Sequence, residues 1–166
     1  KLTFTYSAAA KVIAAAILSL SSFAQGATWT SETPATLTSG RALRNFWGTS
    51  ATNVYAVGGG TSTPGLFFRW DGTSWSEPAP TEFSTFAMRG IFGFSATEVW
   101  VAGRFGNARQ STNSGTSWTN RSTGLTSTFT AYGMWGASNT DIWVVGIETS
   151  TLLAAAYRWN GSIWSP

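Results

Sequence analysis

Residues 40–166 are built from short apolar runs cut by turn-forming residues. Phe46-Trp47 is an apolar pair closed by Gly48. Val54 to Val57 is β-branched and aromatic and stops at Gly58. Leu66 to Trp70 is a third run, and a fourth begins at Trp75 after Asp71-Gly72. Runs this short, rich in Val, Phe, Tyr and Trp and bounded by Gly, Asn, Asp and Ser, predict β-strands. Asp71-Gly72 and Asn160-Gly161 are dipeptides favoured in two-residue hairpin turns, which need positive φ at both positions. No segment past the N-terminal stretch has the apolar spacing of a helix, so the pattern predicts an all-β chain.

The pattern repeats. Arg44 to Gly58, Arg89 to Gly103 and Tyr132 to Gly146 can be laid over one another, with Gly48, Gly93 and Gly136 separated by 45 and 43 residues. Trp29, Trp75, Trp118 and Trp164 recur in step, 46, 43 and 46 residues apart. A period near 45 made of four short strands is the signature of a β-propeller. The expected blades cover about residues 40–80, 85–124 and 128–166, with 27–38 as an extra outer strand. Their innermost strands would carry Phe46-Trp47, Ile91-Phe92 and Met134-Trp135. Three blades do not close a ring, since propellers use about 4 to 8. The expectation is therefore a fragment of a longer chain, or self-association that completes the propeller, with two copies supplying six blades.

Residues 1–26 read as a signal peptide. Lys1 and Lys11 flank small residues, Val12 to Leu20 is an apolar run, and Ser22 to Ala27 supplies small residues for cleavage after Ala24 or Gly26. The apolar run is too short for a hydrocarbon core that needs about 20 residues, so no membrane span is expected once the signal is removed. The expected location is secreted, periplasmic or on the cell surface.

Composition narrows the chemistry. The chain has no Cys, which excludes disulfides and thiolate chemistry, and no His, which removes the commonest general base and transition-metal ligand. No metal site and no cofactor are expected. The net charge of +3 comes largely from Lys1 and Lys11. The other residues carry eight scattered arginines against seven carboxylates, which argues against nucleic acid as a partner.

Ser111-Thr112-Asn113-Ser114-Gly115-Thr116-Ser117-Trp118 resembles the Asp-box, or bacterial neuraminidase repeat, and Trp70 to Trp75 and Trp159 to Trp164 look like relatives one residue shorter. The whole repeat, over about residues 29–166, is similar to those of secreted bacterial propellers near the sialidase and photosystem-assembly-factor groups. The resemblance implies a turn between third and fourth strands built by Asp71, Asn113, Gly115 and Asn160. In that role Asn or Asp bonds nearby backbone amides, Gly supplies a permissive backbone, and Trp packs between sheets.

Function is less legible. Glycoside hydrolysis needs two converging carboxyls, and the sequence shows no such pair among Glu32, Asp71, Glu77, Glu82, Glu98, Asp141 and Glu148. Glu98 and Asp141 align with Asn53, as groups at a loop-to-strand junction. Arg44 and Arg89 share one repeat position, held by Tyr132 in the third copy, and an arginine packed on a neighbouring blade fits that recurrence. The loop after the second strand differs in every copy (Gly58 to Gly65, Arg104 to Asn107, Ile147 to Leu153), and binding residues favour variable loops over a rigid scaffold. Arg104, Phe105 and Glu148, without counterparts in the other copies, are the candidate ligand-binding residues. The expected function is a non-catalytic binding or interaction module with a protein or glycan ligand. A fragment of a sialidase-like hydrolase and an assembly-factor-like docking protein are the alternatives.

Overall fold

The computed structural model describes Ser31, Thr33, Pro34, Leu37 and residues 41–60, 64–79 and 81–166. The expected leader, and all but four residues of the expected strand over 27–38, lie outside them. The described residues contain no helix and twelve strands: β1 (Leu43–Ser50), β2 (Asn53–Gly59), β3 (Gly65–Trp70), β4 (Trp75–Ser76), β5 (Met88–Gly93), β6 (Val99–Gly103), β7 (Ala108–Ser111), β8 (Thr119–Asn120), β9 (Phe129–Ser138), β10 (Asp141–Glu148), β11 (Leu153–Trp159) and β12 (Trp164–Ser165). They form three antiparallel four-stranded sheets in sequence order, β1 to β4, β5 to β8 and β9 to β12. The first strands β1, β5 and β9 pack against one another, so they are the innermost strands of three consecutive blades.

Aromatic seams join the blades. Between the first two, Tyr55, Val57 and Phe67 meet Met88, Ile91, Val99 and Val101, with Trp47 and Trp118 at the margin. Tyr55 stacks between Trp47 and Phe67, with ring centroids 6.2 and 5.5 Å away, and its hydroxyl donates to the Ala96 carbonyl across the seam at 2.6 Å. The second seam brings Trp100, Ala102 and Ala108 against Phe129, Ile142, Val144 and Trp159. Trp164 stitches this seam at the outer edge: its indole N–H donates to the Arg121 carbonyl at 2.6 Å and its amide to the Thr123 carbonyl at 2.9 Å. Each fully buried aromatic or aliphatic side chain contributes about 1.5–3 kcal/mol, so the seams dominate the stability of the stack.

Several details depart from the sequence reading. Four residues, not two, connect β3 to β4 and β11 to β12. The Asp71 Oδ1 accepts the Thr73 and Ser74 amides, both at 2.8 Å, and Asn160 Oδ1 accepts those of Ser162 and Ile163 at 2.9 and 3.0 Å. Only Gly72 and Gly161 then need positive φ, because the side-chain oxygen closes the turn that a second left-handed residue would otherwise make. In the middle blade seven residues connect β7 to β8, and Asn113 and Trp118 stand one residue further apart than Asp71 and Trp75. Asn113 Oδ1 accepts the Ser117 amide at 2.9 Å, Ser114 and Gly115 have φ of 61° and 85°, and the Trp118 indole donates to the Gly115 carbonyl at 3.0 Å. Strands β9 and β10 also run further than the pattern suggests. Glu148 closes β10, paired with Phe129 and Leu153, rather than lying in a loop. Finally, the connection between the first and second blades is part of the core, since Phe83 and Phe86 are buried in the first seam.

Candidate functional site

The connections β2–β3, β6–β7 and β10–β11 leave from the end of the blades at which β1, β5 and β9 begin. At this end all three innermost strands carry a β-bulge at one repeat position. Pairing skips Arg44 between Leu43 and Asn45, Arg89 between Met88 and Gly90, and Tyr132 between Ala131 and Gly133. A bulged residue is left out of the ladder and its side chain is re-aimed, which is why bulges recur beside binding sites. Here the same device is used three times in a row around the inner strands.

The row has a definite electrostatic character. The Arg89 guanidinium lies over the Tyr132 ring of the next blade, 5.2 Å from its centroid, in a cation–π contact. The Arg44 Nε donates to the Gly59 carbonyl at 2.9 Å, fixing one edge of its guanidinium. Arg89 is the strained member. Burial lowers its pKa from the usual arginine value, and the charges of Arg44 and then Arg104 lower it further, while Tyr132 acts in the opposite sense. Its Nε is buried without a hydrogen-bond partner. Arg89, which feels the charges of Arg44 and Arg104 and keeps one buried donor unpaired, sits in a concentration of positive potential.

Arg104 and Phe105 border this row. The Arg104 amide donates to the Ala87 carbonyl at 3.1 Å, beside the start of β5, and its guanidinium lies 5.0 Å from the Phe105 ring centroid. Phe105 is 53% exposed and held at φ 59°, an uncommon conformation for a bulky residue. The following Gly106 amide anchors this corner to the Phe129 carbonyl at 2.8 Å, joining the loop to the third blade. Leu152, also at positive φ and 75% exposed, tips the β10–β11 connection. Sequence comparison of the copies gave Arg104 and Phe105 but not the bulges, which depend on pairing register and leave no mark on composition.

Glu148, the third candidate, lies at the same end, with its carboxylate hydrogen-bonded within the third blade and the segment before it. Its carboxylate accepts hydroxyl hydrogen bonds from Thr128 at 2.6 Å, Tyr157 at 2.7 Å and Thr126 at 2.8 Å. Those from Thr128 and then Tyr157 do most to hold the carboxyl below the usual glutamate range, and the Tyr157 phenol is raised in return. Glu148 thereby ties β10 and β11 to the segment that starts β9, next to the anchor of the Phe105 loop.

The other described carboxylates have separate partners. Glu77 pairs with Arg41, Glu82 with Arg109 and Asp141 with Arg158, at 3.4, 3.3 and 2.8 Å. Glu98 accepts from Gln110 at 2.9 Å, and Asp71 serves its own turn. Asp71, Asn113, Gly115 and Asn160 all lie at the opposite end of the blades, in the third-to-fourth strand turns. Among the described residues no group of three Asp or Glu side chains is placed to hold a metal ion.

No family model and no curated protein matches the chain. Solved structures do. One is YCF48 bound to D1 peptide, with a TM-score of 0.56 and 15% identity over 76% of this chain and 39% of that one. Another is the SapL1 lectin in complex with alpha methyl fucoside, with a TM-score of 0.46 and 18% identity over 76% of this chain and 45% of that one. The chain thus spans less than half the length of either. At such identities the first likeness speaks to fold alone, and together with the three antiparallel sheets it makes the chain a partial β-propeller.

Proposed function

We propose that this chain is an exported, non-catalytic interaction module that binds an anionic group of a protein or glycan ligand on the face bearing Arg44, Arg89, Arg104 and Phe105. The observation that carries this reading is the threefold bulge. A lone bulge can be a packing accident, but three at one register position aim Arg44, Arg89 and Tyr132 at the same end as the loops that differ between copies. Guanidinium groups suit a carboxylate, sulfate or phosphate because their donors match two oxygens at once. Exposed Phe105 and Leu152 add apolar surface beside the charge, the mixture from which binding hot spots are made. A module rather than a hydrolase is favoured because the described carboxylates are occupied by separate structural partners, leaving none assigned as acid and base. Export follows from reading residues 1–26 as a signal peptide.

The test is a screen of the full chain against immobilised glycans, with and without uronate or sialate groups, and against acidic and neutral peptides. Hits are then repeated with Arg104→Ser/Phe105→Ser and with Arg89→Gln. Binding should favour anionic ligands, weaken with salt, and fall about tenfold or more in either variant, the scale of one lost charge-assisted hydrogen bond. Ligands that bind both variants as tightly as the parent, with the fold intact, would overturn the assignment of this face.

A further inference from the structure

The second seam differs from the first at one corner, and the difference leaves a hollow. In the first seam the Tyr55 hydroxyl crosses to the Ala96 carbonyl at 2.6 Å. Trp100 and Asn139 hold the equivalent repeat positions in the second, but the Trp100 indole turns to Glu98 of its own blade, 3.4 Å from Oε1. Between the second and third blades lies a space of about 180 Å³, lined by Gln110 and Arg121 on one side and by Asn139, Thr140 and Gly161 on the other. At about 30 Å³ for a water in the liquid, it has room for about six waters, the bulk of a small organic acid. Trp100 and Trp159, both buried and with ring centroids 5.7 Å apart, form its floor. Asn139, Thr140 and Gly161 belong to turns at the end of the blades away from the Arg44 and Arg89 bulges, so this hollow is separate from the face described above.

Arg121 gives the hollow its chemistry. Its backbone is fixed twice, by its amide to the Ala108 carbonyl at 2.9 Å and by the Trp164 indole to its own carbonyl at 2.6 Å. Its Nε donates to Gln110 Oε1 at 2.9 Å, and its guanidinium lies over the Trp159 ring, 6.0 Å from the centroid. One edge and one face of the group are thereby used. Among the described residues its two terminal nitrogens have no hydrogen-bond partner, and no carboxylate pairs with them. The repeat shows how this charge is left over. In the third blade Arg158 pairs directly with Asp141 at 2.8 Å. The equivalent residues of the second blade are Gln110 and Glu98, joined at 2.9 Å, so an amide satisfies the carboxylate. The arginine stands instead beyond the fourth strand, at a position that Pro78 fills in the first blade, so the blade itself does not require it.

We propose that this hollow binds a small carboxylate, with Arg121 as its anchor. The fork of terminal N–H groups on a guanidinium matches the two oxygens of a carboxylate, and the pairing is stronger where water is partly excluded. The Asn139 side chain, on the facing blade, supplies a further amide donor. Gln110 is itself held by Glu98, so the guanidinium is kept in place before a ligand arrives, which lowers the ordering cost of binding. Glu98 stands behind Gln110, with Oε1 already taken by the Gln110 amide and the Trp100 indole. The size of the hollow limits the ligand to one compact unit. A sugar acid and an acylated amino acid share this chemistry.

Heteronuclear NMR of the isotope-labelled full chain tests this, with sodium glucuronate and N-acetylglycine as probes and glucose and sodium chloride as references. At least one of the two carboxylates should shift the Trp100 and Trp159 indole signals and the Thr140 and Gly161 amides saturably, while glucose and chloride do not. Which of the two acts distinguishes the sugar acid from the amino acid as the source. Arg121→Gln and Asn139→Asp should each weaken binding about tenfold or more, the first by removing charge-assisted hydrogen bonds and the second by placing a like charge in the hollow. Asn139 is exposed and holds Trp159 through its backbone carbonyl, so Asn139→Asp keeps the test sound if Arg121→Gln loosens the seam. Dispersed spectra check that each variant is folded. Shifts that glucose or chloride reproduces, no saturable shift with either carboxylate, or binding that survives both substitutions would overturn the proposal.

Discussion

Gly115→Ala isolates what holds the first two blades together. Gly115 has φ 85°, and a Cβ built on it would run into the ring of Phe67 on the neighbouring blade. Phe67 has nowhere to go. It is 1% exposed, stacked on Tyr55 at 5.5 Å and met edge-on by Trp118 at 4.8 Å. Two costs therefore combine. Left-handed backbone in a residue with a Cβ costs about 1–2 kcal/mol, and overpacking a filled core costs about 1–3 kcal/mol. Gly161 is the internal control, with φ 97° in the corresponding turn of the third blade. Its Cβ would first meet the Thr140 methyl group, at 2.9 Å, a side chain at the exposed edge of the sheet. Gly161→Ala should thus cost about 1–2 kcal/mol and Gly115→Ala about 2–5 kcal/mol. Urea unfolding followed by tryptophan fluorescence measures both. Equal losses would show that the Phe67 ring does not press on Gly115, and the seam would have to be redrawn.

Other expectations follow from the same contacts. Trp118→Ala empties the space beside Phe67 and Phe83 and should cost about 3 kcal/mol in a urea melt, near the lower limit for a tryptophan because the residue is half-buried. Asn113→Ala removes the acceptor for the Ser117 amide and should cost about 1 kcal/mol by the same assay. Glu148 titrates below the usual glutamate value near 4.5, chiefly through the Thr128 and then the Tyr157 hydroxyl. Its contribution is therefore complete above the unfolded-state pKa and is lost as pH falls through the lower folded-state value. Melting temperature against pH should show that acid loss shrink in Glu148→Gln, and an unchanged slope would remove Glu148 from the account.

The scaffold was legible because a blade must satisfy the same packing demands each time it recurs. Phe46-Trp47, Val54 to Val57, Leu66 to Trp70 and Trp75 all fall within strands where the repeat places them. Tertiary effects hid the rest. Phe83 and Phe86 sit in a connection without strand pattern and are buried because two blades converge on them. Strands β9 and β10 extend to Phe129 and Glu148 through hydroxyl bonds to a carboxylate, a contact between residues up to 22 positions apart. The bulges at Arg44, Arg89 and Tyr132 depend on which residues pair across a ladder, which a linear pattern does not record. Their shared repeat position was visible, but its meaning required the register.

Stacking of the blades through aromatic seams sets where the loops and bulges of successive blades lie relative to one another, and nuclear Overhauser contacts measure it directly. With Trp118 and the phenylalanines selectively labelled, the indole protons should show cross-peaks to Phe67 and Phe83, whose ring centroids lie 4.8 and 5.1 Å away. Trp47 should show them to Phe92 of the next blade, at 6.1 Å, as well as to Tyr55 of its own. Contacts within blades, from Trp47 to Tyr55, without those from Trp118 to Phe67 or Trp47 to Phe92 would contradict a stacked propeller segment.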